Sequence, residues 1–438
     1  MHEILKSDAI KERYKLGKNS FSRKRKMGFK EVVGLGMNIL TKSLQLEIEH
    51  FLERVISKVD ERYTKQAFSK ARAKFSPALF CEMNATLLTT WYEDDNCNTI
   101  EGLRLFAIDG TMLELPQNEE MKRVYGVVNN HKNLDIAMSK SSMLYEIGSG
   151  LVWHAIMGHR CDSERDMALE HLQFLQEIDA KSSRSYKNLV VFDRGYPSYA
   201  LMLFLKERNI DFLMRTKADI EEVSLFMQDQ RDDAIVTLKR NFRRKASVKN
   251  HKQPLIRNLL DTYMLNGDIQ VRLLKIDTAK EEPEILVTSL LDIKEYPHAI
   301  FKTLYHARWD IETHYDICKN KLQIENFSGQ KLLAVNQDFF AAILSRNLQQ
   351  CIENDALEAF QKEKQSTTKY EYAINVNFSI GYLKDKLVLM LLEDKDTTHL
   401  YERLVNKIKA NVVPIRPNRH YPRSPSRRKY PMNSKKSA

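Results

Sequence analysis

Apolar positions change their period several times along the chain, and the changes mark its organisation. Over 31–59 they recur at helical spacing, and a second helix-like run follows Pro77. From Leu103 the period shortens. LRLFAIDG reads as an apolar strand closing on Asp109-Gly110-Thr111, where glycine would let the backbone turn away and leave the carboxylate at the strand mouth. Two strands in hairpin style follow at 137–147 and 151–157, joined by Gly148-Ser149-Gly150, and Asp162 or Ser163 can cap a helix running to Ile178. Residues 189–192 form a buried-type strand with Asp193 at its end. Pro197 opens a helix to about Arg208, and 211–215 is a further strand. Between 216 and 296 this alternation stops, and 234–238, 269–276 and 284–291 read as strands separated by polar loops.

The rest of the chain is organised around 304–322, read as one helix. At ~100° per residue, Tyr305, Arg308, Glu312 and Lys319 share roughly a 60° arc. Ile300, Leu304, Ala307, Ile311, Cys318 and Leu322 make an apolar stripe beside that arc. Asp316 lies near the arc as a competing acid, and Asp310 points away. A helix at 332–352 supplies packing, and helical segments continue to about Ala410.

The pattern predicts an α/β chain in six parts. These are a helical N-terminal domain (1–95), the first part of a mixed-sheet core (96–216), a β-rich insertion (217–295), the key helix with the remainder of the core (296–352), a C-terminal helical region (353–413) and a basic disordered tail (414–438). The length of 438 residues and hydrophobic fraction of 43% suit two or three folded domains. No apolar run reaches the ~18 residues needed to cross a bilayer. The N-terminus lacks the apolar centre of a signal peptide, so a cytoplasmic, nucleoid-associated protein is expected. The five cysteines are widely spaced without a CxxC pair, which argues against disulfides and thiolate zinc.

Charge adds a partner. The net charge of +11 favours a polyanion. Arg23, Lys24, Arg25 and Lys26 cluster before the first helix, and a second basic element, SKARAKFSP, spans 69–77. Residues 239–252, with Arg243, Arg244 and Lys245, hold seven Lys or Arg and no acid around Phe242, and the tail holds eight. Clustered cations displace counterions from a duplex, so DNA contact is expected at the first cluster and at 239–252.

Asp109, Asp193 and Glu312 then suggest chemistry. Three carboxylates from two strand ends and a helix suit two Mg²⁺ ions, or Mn²⁺, ~3.5–4 Å apart, for in-line phosphodiester transfer. Arg308 and Lys319 would hold phosphates rather than neutralise the acid, and Tyr305 could donate to one. A rival zinc face of His306, Asp310 and His314 is disfavoured, because i to i+8 spans ~12 Å of helix and no other segment offers a ligand. No Walker loop, GxSxG or dinucleotide fingerprint is present.

The spacing Tyr305-x2-Arg308-x3-Glu312-x6-Lys319 matches the YREK signature of insertion-sequence DDE transposases, the insertion-sequence-four family, and the AIDGT and VVFDRGY segments are similar to its first and second Asp motifs. The resemblance implies a ribonuclease-H-like core interrupted by a β-rich insertion. It implies Asp109, Asp193 and Glu312 as metal-binding catalytic acids, with Tyr305, Arg308 and Lys319 lining a DNA end. It further implies cut-and-paste transposition, in which a freed 3′-hydroxyl attacks target DNA. Terminal inverted repeats would be recognised by the N-terminal and tail regions, and a homodimer would hold the paired ends. Some relatives hold a flipped base with a tryptophan of the insertion, whereas here the tryptophans are Trp91, Trp153 and Trp309, leaving Phe242, Tyr263 or Tyr296 to stack. The alternatives are a metal-dependent nuclease or junction-resolving enzyme on the same core, and a non-catalytic DNA-binding relative.

Overall fold

The computed structural model of the chain describes residues 2–23, 25–38, 43–94, 96–129, 134–217, 220–277, 283–364 and 370–416. Among them, nine strands form one mixed sheet: β1 (Arg104–Glu114), β2 (Val127–Asn129), β3 (Asp135–Glu146), β4 (Leu151–His159), β5 (Asn188–Phe192), β6 (Asp211–Arg215), β7 (Asp233–Leu238), β8 (Ile269–Ile276) and β9 (Glu284–Thr288). The order is β2-β3-β1-β5-β6-β9-β8-β7, with β4 also on β3. β1, β5 and β6 run parallel, and every other pairing in the sheet is antiparallel.

Strand alternation sorts the core into two faces. Phe106, Ile108, Val190 and Phe192 pack against the helices Glu164–Asp179 and Tyr199–Glu207. Leu105, Ala107, Leu189 and Val191 face the segment 300–324 and the long helix Leu332–Glu363. Ser163 caps the helix Glu164–Asp179 by accepting from Asp166 N, and Ser198, one residue beyond Pro197, caps the helix Tyr199–Glu207. At the foot of β1, Arg104 is 1% exposed and donates to Asp179 at 2.5 Å and Asn188 at 2.8 Å among the rings of Trp153 and Tyr186. That contact ties β1, β5 and the helix Glu164–Asp179 together below the site.

Four expectations change. β1 does not end at Asp109-Gly110: it runs to Glu114, paired with β3 throughout. The strands at 233–288, read only as strands of a β-rich insertion, extend the core sheet itself: β9 pairs with β6 and carries β8 and β7 onward. Three helices, Phe242–Lys249, Pro254–Arg257 and Leu260–Asn266, occupy what reads as polar loop. Finally, the N-terminal helices share one apolar core with the C-terminal region. Val32, Phe51, Phe68 and Phe80 pack with Leu344, Ile352, Val388 and Leu404, and the long helix continues to Glu363 as their common spine. Pro414 pairs in a short ladder with Tyr372, and residues 417–438 of the expected disordered tail lie outside the described residues. Among the described residues no helix is long and apolar enough to cross a membrane.

Candidate active site

The parallel register of β1 and β5 sets Ala107 beside Val191. Two residues on, strand parity puts Asp109 on the face that packs against the segment 300–324, and Asp193 follows directly on the end of β5. β5 stops at Phe192, so Asp193 leaves the sheet in a turn whose Gly195 N–H donates to its Oδ1 at 2.6 Å. Asp109 remains in β1, opposite Met143, beyond the point where β5 ceases to cover it. The strand mouth is thus made by the end of β5. Gly110 does not turn the chain: a Cβ there would stand 3.3 Å from Glu164 Oε1, so the missing side chain leaves room for that carboxylate.

Glu312 arrives on the helix Trp309–Asp316, docked to β1 by Tyr315, whose hydroxyl donates to the Asp109 carbonyl at 2.7 Å. The expected single helix over 304–322 is broken. Helix Ile300–His306 gives way to a tight turn, with Arg308 N bonded to Tyr305 O and Ile311 N to Arg308 O, and Trp309–Asp316 runs on into a π-helical turn, Ile317–Lys321. Tyr305 and Arg308 are each 7% exposed, while the Glu312 side chain is 43% exposed.

The expected phosphate-holding cations are occupied. Arg308 Nη2 donates to Glu312 Oε1 at 2.9 Å, because the acid one turn on is the anion within reach, so it does neutralise the acid. Its Nε is buried without a partner, and its guanidinium lies 5.9 Å from the Tyr305 ring centre. Lys319, carried inward by the π turn, donates to Thr111 Oγ1 at 2.6 Å and Met112 O at 2.8 Å, fastening the segment to β1.

Burial pushes the Asp109 carboxyl up to about 6. Gly110 N–H and Arg308 oppose the rise, and the charges of Asp193 and Glu312 add to it. The Asp109 carboxyl therefore feels the charges of both other acids. Among the described residues, however, no group of three or more His, Cys, Asp or Glu side chains stands close enough to hold a metal ion. The donor set is chemically right for a hard divalent cation: three carboxylates, one of them raised mainly by burial, with Arg308 as a nearby counter-charge.

Behind Asp109 runs a polar chain that the sequence did not signal. Ser142 Oγ donates to the Asp109 carbonyl at 3.2 Å, so His171 Nε2–H donates to Ser142 Oγ at 3.0 Å. His171 Nδ1 then accepts from His154 Nδ1–H at 3.0 Å. Burial pushes the imidazoles of His154 and His171 down, the first to about 4. Burial, with Arg346, lowers His314 from 6.5 to about 3. A buried neutral imidazole contributes stability above its unfolded value and loses it as pH falls, because the unfolded chain binds the proton first. The stability of the wild type relative to His314→Leu is therefore expected to fall from about pH 6.5 toward pH 3. Urea midpoints measured across that window test this, and a pH-independent gap would contradict it.

The zinc rival does not assemble. His306 is exposed, whereas His314 is 2% exposed and lies 3.3 Å from Cys318 Sγ. Of the basic residues, Arg23 and Arg25 line a cleft of about 420 Å³ with Lys74, and Lys26 is exposed, donating to Arg62 O. Lys24 lies outside the described residues. Arg243 and Lys245 are exposed on the helix Phe242–Lys249, whose Phe242 is 85% exposed. Arg244 departs from the expected DNA contact: at 12% side-chain exposure it makes a two-pronged pair with Glu222, which fixes the helix. Within the basic element at 69–77, Arg72 is likewise a core residue, bonded to Gln337, Ser328, the Ala334 carbonyl and Asp338. Glu164 has no local signal beyond its place after a capping serine, and Tyr196 none beyond closing the VVFDRGY segment.

The family described as Transposase DDE domain matches residues 101–348. The transposase InsG for insertion sequence element IS4 of Escherichia coli (strain K12) is 26% identical over 254 residues, 56% of this chain and 51% of that protein. The chain thus matches about half the length of this curated relative. A solved piggyBac transposase synaptic complex with hairpin DNA superimposes with a TM-score of 0.43 at 11% identity, over 93% of this chain and 84% of that one. That likeness is too loose to bear on fold or function.

Proposed function

The chain belongs to the transposase DDE-domain family, and from that premise we propose that it is a DNA transposase. It cleaves the ends of a mobile element and joins the freed 3′-hydroxyl to target DNA on a ribonuclease-H-like core. What supports this reading is that Asp193 follows the end of β5 beside the β1 residues that carry Asp109, and that Tyr315, on the helix that carries Glu312, donates to the Asp109 carbonyl.

Asp109, Asp193 and Glu312 would hold Mg²⁺ or Mn²⁺. The cations would lower the pKa of the attacking water or hydroxyl and stabilise the departing oxygen. The chain's own residues supply the framework. Ser142 and Tyr315 fix the Asp109 backbone, and Lys319 pins the far end of the Glu312 segment to β1. Arg308 holds Glu312 away until a phosphate, a stronger anion, takes the guanidinium in its place. Arg23, Arg25 and Lys74 form a cleft with phosphate-binding chemistry, and exposed Arg243 and Lys245 flank Phe242, which could stack on an unpaired base. The partners would be the terminal inverted repeats and target duplex, with two copies of the chain pairing the ends.

A duplex carrying the repeats of the element, incubated with the protein, target plasmid and Mg²⁺, is expected to be nicked and then joined to the plasmid. Cleavage with no joined product at saturating target would instead assign a nuclease. Binding without any cleavage in Mg²⁺ or Mn²⁺ would assign a non-catalytic DNA-binding relative.

A further inference from the structure

Glu164 is a fourth carboxylate at the acid corner, on the opposite side of β1 from Asp109. Its Oε1, Cδ and Cγ lie 3.3, 3.4 and 3.4 Å from where a Gly110 Cβ would be, so the side chain runs along bare backbone one residue from Asp109. The start of its helix is held in place from two directions. Arg165 Nη2 donates to Gly195 O at 2.9 Å and Pro197 O at 3.2 Å, which ties it to the loop after Asp193. Lys140 on β3 stands 3.5 Å from Glu164 Oε1 and donates to the Asp162 carbonyl at 2.8 Å. An acid at the first turn of a helix with a lysine beside it is ordinary.

Tyr196 is not ordinary. Its side chain is 1% exposed and its hydroxyl, fully buried, has no hydrogen-bond partner. Its N–H donates to the Asp193 carbonyl at 3.3 Å and Arg165 holds the neighbouring Gly195 carbonyl, which places the residue between the Asp193 turn and the start of the Glu164 helix; after burial, Asp109, Glu164 and Asp193 raise its phenol. A buried donor left dry is costly, and it is accounted for when its acceptor arrives with a ligand. A hydrated cation at the corner brings such oxygens.

We propose that Glu164 is a fourth oxygen donor to the divalent cations that Asp109 and Asp193 would hold, reaching them past the bare backbone of Gly110. The inference rests on the cation-binding reading above. Lys140 balances Glu164 until a cation displaces it, and Tyr196 donates to the oxygen ligands the cation carries.

The test is calorimetric titration of the full chain with MnCl2 in the absence of DNA, so that binding is read apart from activity. Glu164→Gln is expected to weaken Mn²⁺ binding by about tenfold, the scale at which loss of a supporting ligand is felt. Gly110→Ala, which keeps every carboxylate but crowds Glu164, should weaken it in the same direction. Asp109→Asn should abolish it. If Glu164→Gln and Gly110→Ala both bind within about twofold of wild type while Asp109→Asn does not bind, Glu164 is no ligand and the acid corner stands without it. If Asp109→Asn also binds normally, the corner is not the cation site and both readings fall.

Discussion

Asparagine at Asp109 is expected to remove metal-dependent cleavage of repeat-bearing DNA while leaving the protein folded and able to bind that DNA. A cation's stabilisation of the reacting charges amounts to several kcal/mol, so the rate should fall by about 1000-fold or more, roughly 4 kcal/mol at 1.36 kcal/mol per decade. The same substitution carries a signature in stability. The Asp109 carboxyl sits at about 6 rather than 3.8. The native chain therefore holds its proton more tightly, and wild-type stability is lost as pH rises from about 4 through 6. Asparagine has no such loss. The variant should gain on wild type across that window and keep its advantage above it, which urea midpoints at pH 4, 6 and 8 would measure. A variant that cleaves at the wild-type rate, or that loses stability relative to wild type with rising pH, would show that Asp109 is neither a reacting acid nor a strained one. Glu312→Gln should match it in rate, since Glu312 is the acid Arg308 must release.

The second large effect is structural. Arg72 is 4% exposed and joins the N-terminal helices to the long helix through Gln337, Ser328, the Ala334 carbonyl and Asp338. Alanine there leaves Asp338, its side chain only 12% exposed, without its cation. Breaking such a buried pair from one side costs about 3–5 kcal/mol. Lysine keeps the charge but cannot fork to four partners, and should recover only part of the loss. Because the N-terminal helices carry the Arg23–Arg25 cleft, Arg72→Ala should also weaken DNA binding, although Arg72 itself does not face the cleft. Chemical unfolding of both variants reads the effect. An Arg72→Ala protein as stable as wild type, with weakened DNA binding, would restore Arg72 to the surface role its sequence suggested.

The strands β1 and β5 were legible as short continuous apolar runs, because helices cover both faces of the sheet there, and their register sets the aspartates that follow those runs near each other. The cap at Ser163 was legible for a similarly local reason. What escaped the sequence depended on partners far along the chain. Arg72 and Arg244 look like surface cations until Asp338 and Glu222 arrive beside them. Gly110 looks like a turn until the Glu164 helix is packed against it. The 304–322 segment was projected at constant pitch, whereas a π turn at Ile317–Lys321 takes Lys319 to Thr111 and Met112 while Arg308 stays with Glu312. The strands after 233 look like an inserted unit because the helix–strand alternation lapses, yet β9 returns to pair with β6. Local pattern encodes which face a residue takes; it does not encode which distant side chain meets it there.

Anomalous diffraction from crystals soaked in Mn²⁺ places the ion directly. The account predicts density between the carboxylates of Asp109 and Asp193, with Glu312 turned from Arg308 toward it. Full occupancy of Mn²⁺ elsewhere, with that corner empty and the Arg308–Glu312 pair intact, would contradict the account.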